Sequence, residues 1–168
     1  MTAIDSKQYK ETERQKWDSV ASGWQKWWRT IERGARKLSN RLIELAEIKP
    51  GSRVLDISTG IGEPAITAAN QMSKTGYILA TDISPQMLSI AKQRTISLDL
   101  SDMIEFKVGD TETIDLPIST FDAALCRAGI MLLLDLKAGL LNIHRSLIEG
   151  GLFQRPVGLH QTKFLSYL

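Results

Sequence analysis

The apolar positions change their period at about residue 50. Before it, Trp17, Val20, Ala21, Trp24, Trp28 and Ile31 recur at intervals of three, four and seven, which draws one stripe along an α-helix. Ala35, Leu38, Leu42 and Leu45 extend the stripe, with a break predicted near Gly34 and a stop at Pro50 and Gly51. Beyond that point short apolar runs alternate with amphipathic ones. Arg53–Ile57 reads as a buried strand, 63–73 as a helix with Ala65, Ile66, Ala69 and Met72 on one side, and 77–81 as a second strand. Ser84 is placed to cap a helix that Pro85 begins, with Met87, Leu88, Ala91 and Leu98 turned inward. Ile104, Phe106 and Val108 alternate with polar residues as a third strand, and 121–126 forms the fourth. Leu136, Leu140, Ile143, Leu147 and Ile148 mark a helix ending at Gly150 and Gly151, before Leu152 and Phe153 open a fifth strand.

Strand–helix alternation at this spacing predicts an α/β fold: a doubly wound, mostly parallel sheet covered by helices on both faces. Ligands of such sheets bind beyond the carboxyl ends of the strands, where strand order reverses.

Composition narrows the class. The chain has 168 residues, 43% apolar and 24% charged, with 21 basic against 19 acidic side chains, the profile of one globular domain of ordinary size. A net charge of +2 gives no basic tail for nucleic acid, and the single Cys126 excludes an internal disulfide. The longest apolar run, 128–134, falls far short of the roughly 18 residues a membrane span needs, so stable insertion is not expected. The first residues carry no apolar signal core, which points to the cytoplasm. Charge is uneven: residues 1–50 hold 11 basic and 7 acidic side chains, and the remainder 10 and 12. A basic helical lead-in of this kind is a solvated face, or else one that lies on a membrane or touches an anionic substrate.

The chemistry gathers at the strand ends. Gly60 and Gly62 stand between the first strand and its helix, where glycine allows a tight turn and a ligand's close approach. Asp82 ends the next strand, 20 residues after Gly62, and its paired acceptors suit ribose hydroxyls. The stretch from Gly60 to Ala65 also satisfies the dinucleotide pattern, so an NAD(P)-binding oxidoreductase-type domain stays open. Asp56 discriminates: a carboxylate beside the glycines repels a pyrophosphate and suits a cationic amino acid end. Alternatively Asp56 only braces the loop through backbone N–H groups.

Asp56-x-Ser58-x-Gly60-x-Gly62 resembles the first motif of the class I S-adenosylmethionine-dependent methyltransferases, with Ser58 where the first glycine is usual. Ser58 and Pro64 are similar to variants in the ubiquinone/menaquinone-biosynthesis C-methyltransferase group. The segments 80–88, 109–117, 121–127 and 147–153 resemble the motifs that follow, so the likeness covers about residues 50–153. It implies a Rossmann-like methyltransferase fold with N-terminal helices, S-adenosyl-L-methionine as cofactor and a small-molecule methyl acceptor. By the same resemblance Gly60 and Gly62 carry the methionine part and Asp56 lies near its amino end, within the set that includes Ser58. Asp82 holds the ribose, Ile83 packs on the adenine, and Asp110 accepts from its amino group with Thr111 alongside. Lys16-Trp17-Asp18 resembles the family's lead-in, with Trp17 where tyrosine is common.

Arg127, at the end of the fourth strand, is expected in the cleft, binding either an acidic acceptor or an internal carboxylate. His144, Cys126 and the run 131–134 are read as core, and no general base or metal site is identified. The family sheet has seven strands, but only 15 residues follow Phe153. The expected organisation is therefore a helical lead-in over 1–49, a cofactor-binding domain over 50–153 and an irregular tail over 154–168. The last strand hairpin is expected to be missing, as in a truncated or frame-shifted product. That leaves a non-catalytic cofactor- or partner-binding remnant as a further alternative.

Overall fold

The computed structural model describes residues 5–156. Its helices are α1 (Ser6–Leu45), α2 (Ala65–Gln71), α3 (Pro85–Ser97) and α4 (Leu136–Ser146). Its strands are β1 (Arg53–Ile57), β2 (Tyr77–Asp82), β3 (Ile104–Val108), β4 (Phe121–Leu125) and β5 (Leu147–Gln154). They form one sheet in the order β3-β2-β1-β4-β5, with every pair parallel.

The central strand β1 is buried from Val54 to Ile57 because both faces of the sheet are covered. Val54 and Ile78 pack with Leu42, Ile43, Ala69 and Met72 on one face. Leu55, Leu79 and Ala124 pack with Ile143 and Phe153 on the other. Each fully buried Val, Leu, Ile or Met among them contributes about 1.5–3 kcal/mol by leaving water. A smaller cluster joins α1 to α3: Ala21, Ile61, Met87 and Ile90 under Trp17, Trp24 and Trp28.

The ends of the helices follow their caps. The Asp5 carboxylate accepts from the Lys7 and Gln8 amides, Ser84 from Met87 and Asp135 from Ala138. The helix predicted over 63–73 is shorter, starting after Pro64. The break predicted near Gly34 does not occur: α1 runs unbroken and stops at Leu45, before Pro50. A glycine inside a helix costs about 1 kcal/mol, and Leu42 and Ile43, buried just beyond it, offset that cost. Val20 and Leu38, expected on the buried stripe, are 42% and 40% exposed. The stripe belongs instead to Ala21, Ser39, Leu42 and Ile43 with the three clustered tryptophans.

Other expectations are corrected at the second half. Leu147 and Ile148 lie in β5, not α4. Phe121 pairs with Leu147 while Ala123 pairs with Leu152, so the residues between bulge outward, helped by Gly150 at φ +79°. His144 is exposed rather than core, and Leu98 points outward. In the run 131–134, Met131, Leu132 and Leu134 are exposed, and only the preceding Ile130 is buried. Of the tail expected over 154–168, Gln154 still belongs to β5, and residues from 157 onward lie outside the described residues. Among the described residues no helix is long and apolar enough to cross a membrane.

Candidate functional site

Strand order reverses between β1 and β4, and a cavity of about 130 Å³ opens at the carboxyl ends there. Ser58, Gly60, Asp82, Ile83, Asp110, Thr111 and Arg127 all line it. Asp56 and Gly62 are not on its wall.

Asp56 sits beneath the loop, fully buried. Its Oδ2 accepts from Thr59 Oγ1 at 2.6 Å and from the Ala65 amide at 3.0 Å. These bonds brace the turn into α2. Its Oδ1 has no partner. Burial pushes the carboxyl up to about 7, against the pull of those two hydrogen bonds. Gly62, at φ +98°, is required by packing: a Cβ there would come within 2.9 Å of Ile66 Cδ1 and 3.3 Å of the Ala91 Cβ. Gly60, at φ +58°, has open space where a side chain would stand. Its amide donates to Asp82 Oδ2 at 2.8 Å, and Ser84 donates to Asp82 Oδ1 at 2.9 Å. Asp82 thereby ties the glycine loop to the start of α3. Burial raises its pKa, while the two amides hold it down.

Two arginines anchor the surroundings. Of the two partners expected for Arg127, the structure shows an internal carboxylate: it grips Glu32 of α1 and donates to Ser39 Oγ at 3.1 Å. Burial opposes its charge, but Glu32 keeps the guanidinium above its ordinary pKa. Arg94 of α3 donates to the Ile61 carbonyl and, at 3.1 Å, to Glu63 Oε1, and lies 4.5 Å over the Trp28 ring. The other oxygen of Glu63 accepts from Thr67 Oγ1 at 2.6 Å. Burial raises the pKa of Glu63 against these bonds.

The amino-terminal half of α1 forms the roof, contributing Lys10, Glu13, Trp17 and Trp24 to the cavity wall. The Trp17 and Trp24 rings meet at 6.3 Å and 57°. Lys10 donates to Asp110 Oδ1 at 3.3 Å and to Glu112. Asp18 accepts from Ser84 Oγ at 2.6 Å and from the Gln86 amide at 3.2 Å, fixing the helix to the start of α3. Sequence reasoning missed Lys10, Glu32 and Arg94; no local pattern marks them. Asp18 stood in the quoted lead-in, which was its only signal. Cys126 is buried, and burial pushes its thiol up to about 12, so it is no nucleophile at neutral pH. Among the described residues no cluster of three or more His, Cys, Asp or Glu could hold a metal ion.

Comparison with known proteins gives a consistent result. The family model for the methyltransferase domain matches residues 54–151. The ubiquinone/menaquinone biosynthesis C-methyltransferase UbiE of Pseudomonas savastanoi is 31% identical over 119 residues, covering 70% of this chain and 46% of that protein. The chain spans about half the length of the curated relatives it matches. A putative S-adenosyl-L-methionine-dependent methyltransferase from Methanococcus maripaludis superposes with a TM-score of 0.72 at 23% identity, over 82% of this chain and 63% of that one. A methyltransferase from Geobacter sulfurreducens, solved with S-adenosyl-L-homocysteine, gives 0.59 at 25% identity, over 70% and 46%.

Proposed function

The chain belongs to the methyltransferase-domain family, and on that premise we propose that it binds S-adenosyl-L-methionine in the cleft and transfers its methyl group to a small-molecule acceptor. The observation that carries this reading is the charge of the cleft. Glu13, Glu63, Asp82 and Asp110 line it, and the two cations that line it among the described residues, Lys10 and Arg127, are both held by carboxylates. A pyrophosphate finds no free cation there, which disfavours the dinucleotide alternative. The buried Asp56 carboxylate braces the loop from beneath through Thr59 and Ala65 and adds negative potential under the place where a cationic amino acid end would lie. The open space at Gly60 leaves room for that part of the ligand to lie on the backbone.

On this reading residues 50–153 form the cofactor-binding body and residues 1–49 its helical cover. Asp82 accepts from the ribose hydroxyls, Ile83 packs on the adenine, and Asp110 accepts from the adenine amino group beside Thr111. Arg127 acts as a positioning residue through Glu32. When bound, the sulfonium supplies an already activated methyl group. The chain's own contribution is then alignment and exclusion of water, by Trp17 and Trp24 from the roof and Leu132 and Leu133 from the floor. This apolar wall suits an apolar acceptor, in keeping with the quinone-biosynthesis names of the relatives.

Calorimetric titration tests the reading. The full chain binds S-adenosylmethionine and S-adenosylhomocysteine, and Asp82→Ala weakens both at least tenfold. Binding of NADH in preference to either overturns it. Cofactor binding without methyl transfer to any quinol or phenol acceptor would favour the remnant instead.

A further inference from the structure

The outer face of α1 takes no part in the cleft, yet it has a definite pattern. Val20, Trp27 and Leu38 are spaced by 7 and 11 residues, so they fall on one line along the helix. All three are exposed, Trp27 by 58%. Lys26, Arg33, Lys37 and Arg41 follow at intervals of 7, 4 and 4 and form a second, adjacent line, also exposed. From residue 19 to residue 43 there are six basic side chains and one acid, Glu32. That acid is turned inward and consumed by Arg127. Among the described residues no ion pair engages Lys26, Arg33 or Lys37, and Arg41 meets only Glu44. Lys26 lies 5.5 Å over the Trp27 ring, which brings the two lines into contact.

We infer that this face docks the protein on an anionic lipid surface. Charge complementarity sets the partner's sign: an uncompensated basic crest attracts a negatively charged headgroup layer. The apolar line selects a membrane over a nucleic acid. Val20 and Leu38 gain nothing from a phosphate backbone, whereas aliphatic and indole groups beside bases are suited to the boundary between headgroups and acyl chains. The contact is peripheral, because the helix lies flat with its opposite face committed to α3 and the sheet. From Val20 to Arg41 the docking line extends about 30 Å. It places the cleft roof, formed by the amino-terminal half of the same helix, next to the surface. The inference is independent of the methyl-transfer reading.

Flotation of the full chain with vesicles tests it. Vesicles of phosphatidylcholine and phosphatidylglycerol bind the chain; vesicles of phosphatidylcholine alone do not. Binding falls by about fivefold for each base neutralised, so the combined Lys26→Gln, Arg33→Gln and Lys37→Gln variant loses it, with helical circular dichroism unchanged. Trp27→Ser weakens binding several-fold with all charges intact. Equal binding to both kinds of vesicle overturns the inference, as does a Trp27→Ser variant that binds like the parent. So does a chain that ignores anionic vesicles but binds transfer RNA.

Discussion

Arg127 Nη1 and Nη2 donate to the two oxygens of Glu32, each at 2.9 Å, and so tie the end of β4 to the middle of α1. Both side chains are only 13% exposed. A well-aligned bidentate pair of this kind is costly to break from one side, because the survivor stays buried and uncompensated. Arg127→Leu is expected to lose about 3–5 kcal/mol of stability, read as a lower melting temperature. Combining it with Glu32→Leu recovers much of the loss. A double variant as unstable as the sum of its parts would show that the two do not interact.

Lys10 bridges α1 to the loop after β3 and contacts Asp110, the carboxylate we propose for the adenine. Lys10 and Asp110 both line the cavity of about 130 Å³, so the bridge ties the helical roof to the cleft wall that a ligand would meet. Lys10→Ala is expected to raise both the association and the dissociation rate of S-adenosylmethionine several-fold. Stopped-flow fluorescence from Trp17 and Trp24 measures this. Unchanged rates would mean the lysine holds nothing that moves.

Asp56 titrates near 7 in the fold and near 3.8 when unfolded. Between these values the folded chain keeps a proton that the unfolded chain has lost. Its contribution to stability is therefore full below about pH 4 and falls, by up to about 1.4 kcal/mol per pH unit, until about pH 7. Asp56→Asn is expected to flatten this part of the stability curve, seen by urea denaturation across the range. A cationic ligand favours the ionised form, so cofactor affinity should rise through pH 7 in the parent and not in the variant.

Cys126 is enclosed by the core between β4 and Ile130. With its thiol pushed up to about 12, it should resist a thiol reagent at pH 8 in the folded chain and react within seconds in urea. Rapid labelling of the native protein would mean that β4 opens locally.

The strands and the glycine loop were legible because their residues answer to local rules. β1, β2 and β4 are largely buried on both faces and so appear as short, mostly apolar runs, while Gly60 and Asp82 lie at strand ends where a turn must follow. The boundary of α4 was not legible. Leu147 and Ile148 continue the helical period, and only the pairing of Leu147 with Phe121, 26 residues earlier in the chain, draws them into the sheet. The stripe on α1 misled for a related reason: Val20 and Leu38 are apolar but belong to the outer face. Glu32 lies 95 residues before Arg127, and Lys10 lies 100 before Asp110. Such partners share no periodicity, so the roof over the cleft emerged only from the assembled fold.

Ser58 takes φ +55°, a conformation that favours glycine. A Cβ on Gly129 would stand 2.1 Å from Ser58 Oγ. The turns after β1 and β4 thus have room for one side chain between them, and this chain has spent it at position 58. The two sites behave as a single seat with two claimants. Ser58→Gly should vacate it and make Gly129→Ala tolerable, although that second change alone would force the turns apart.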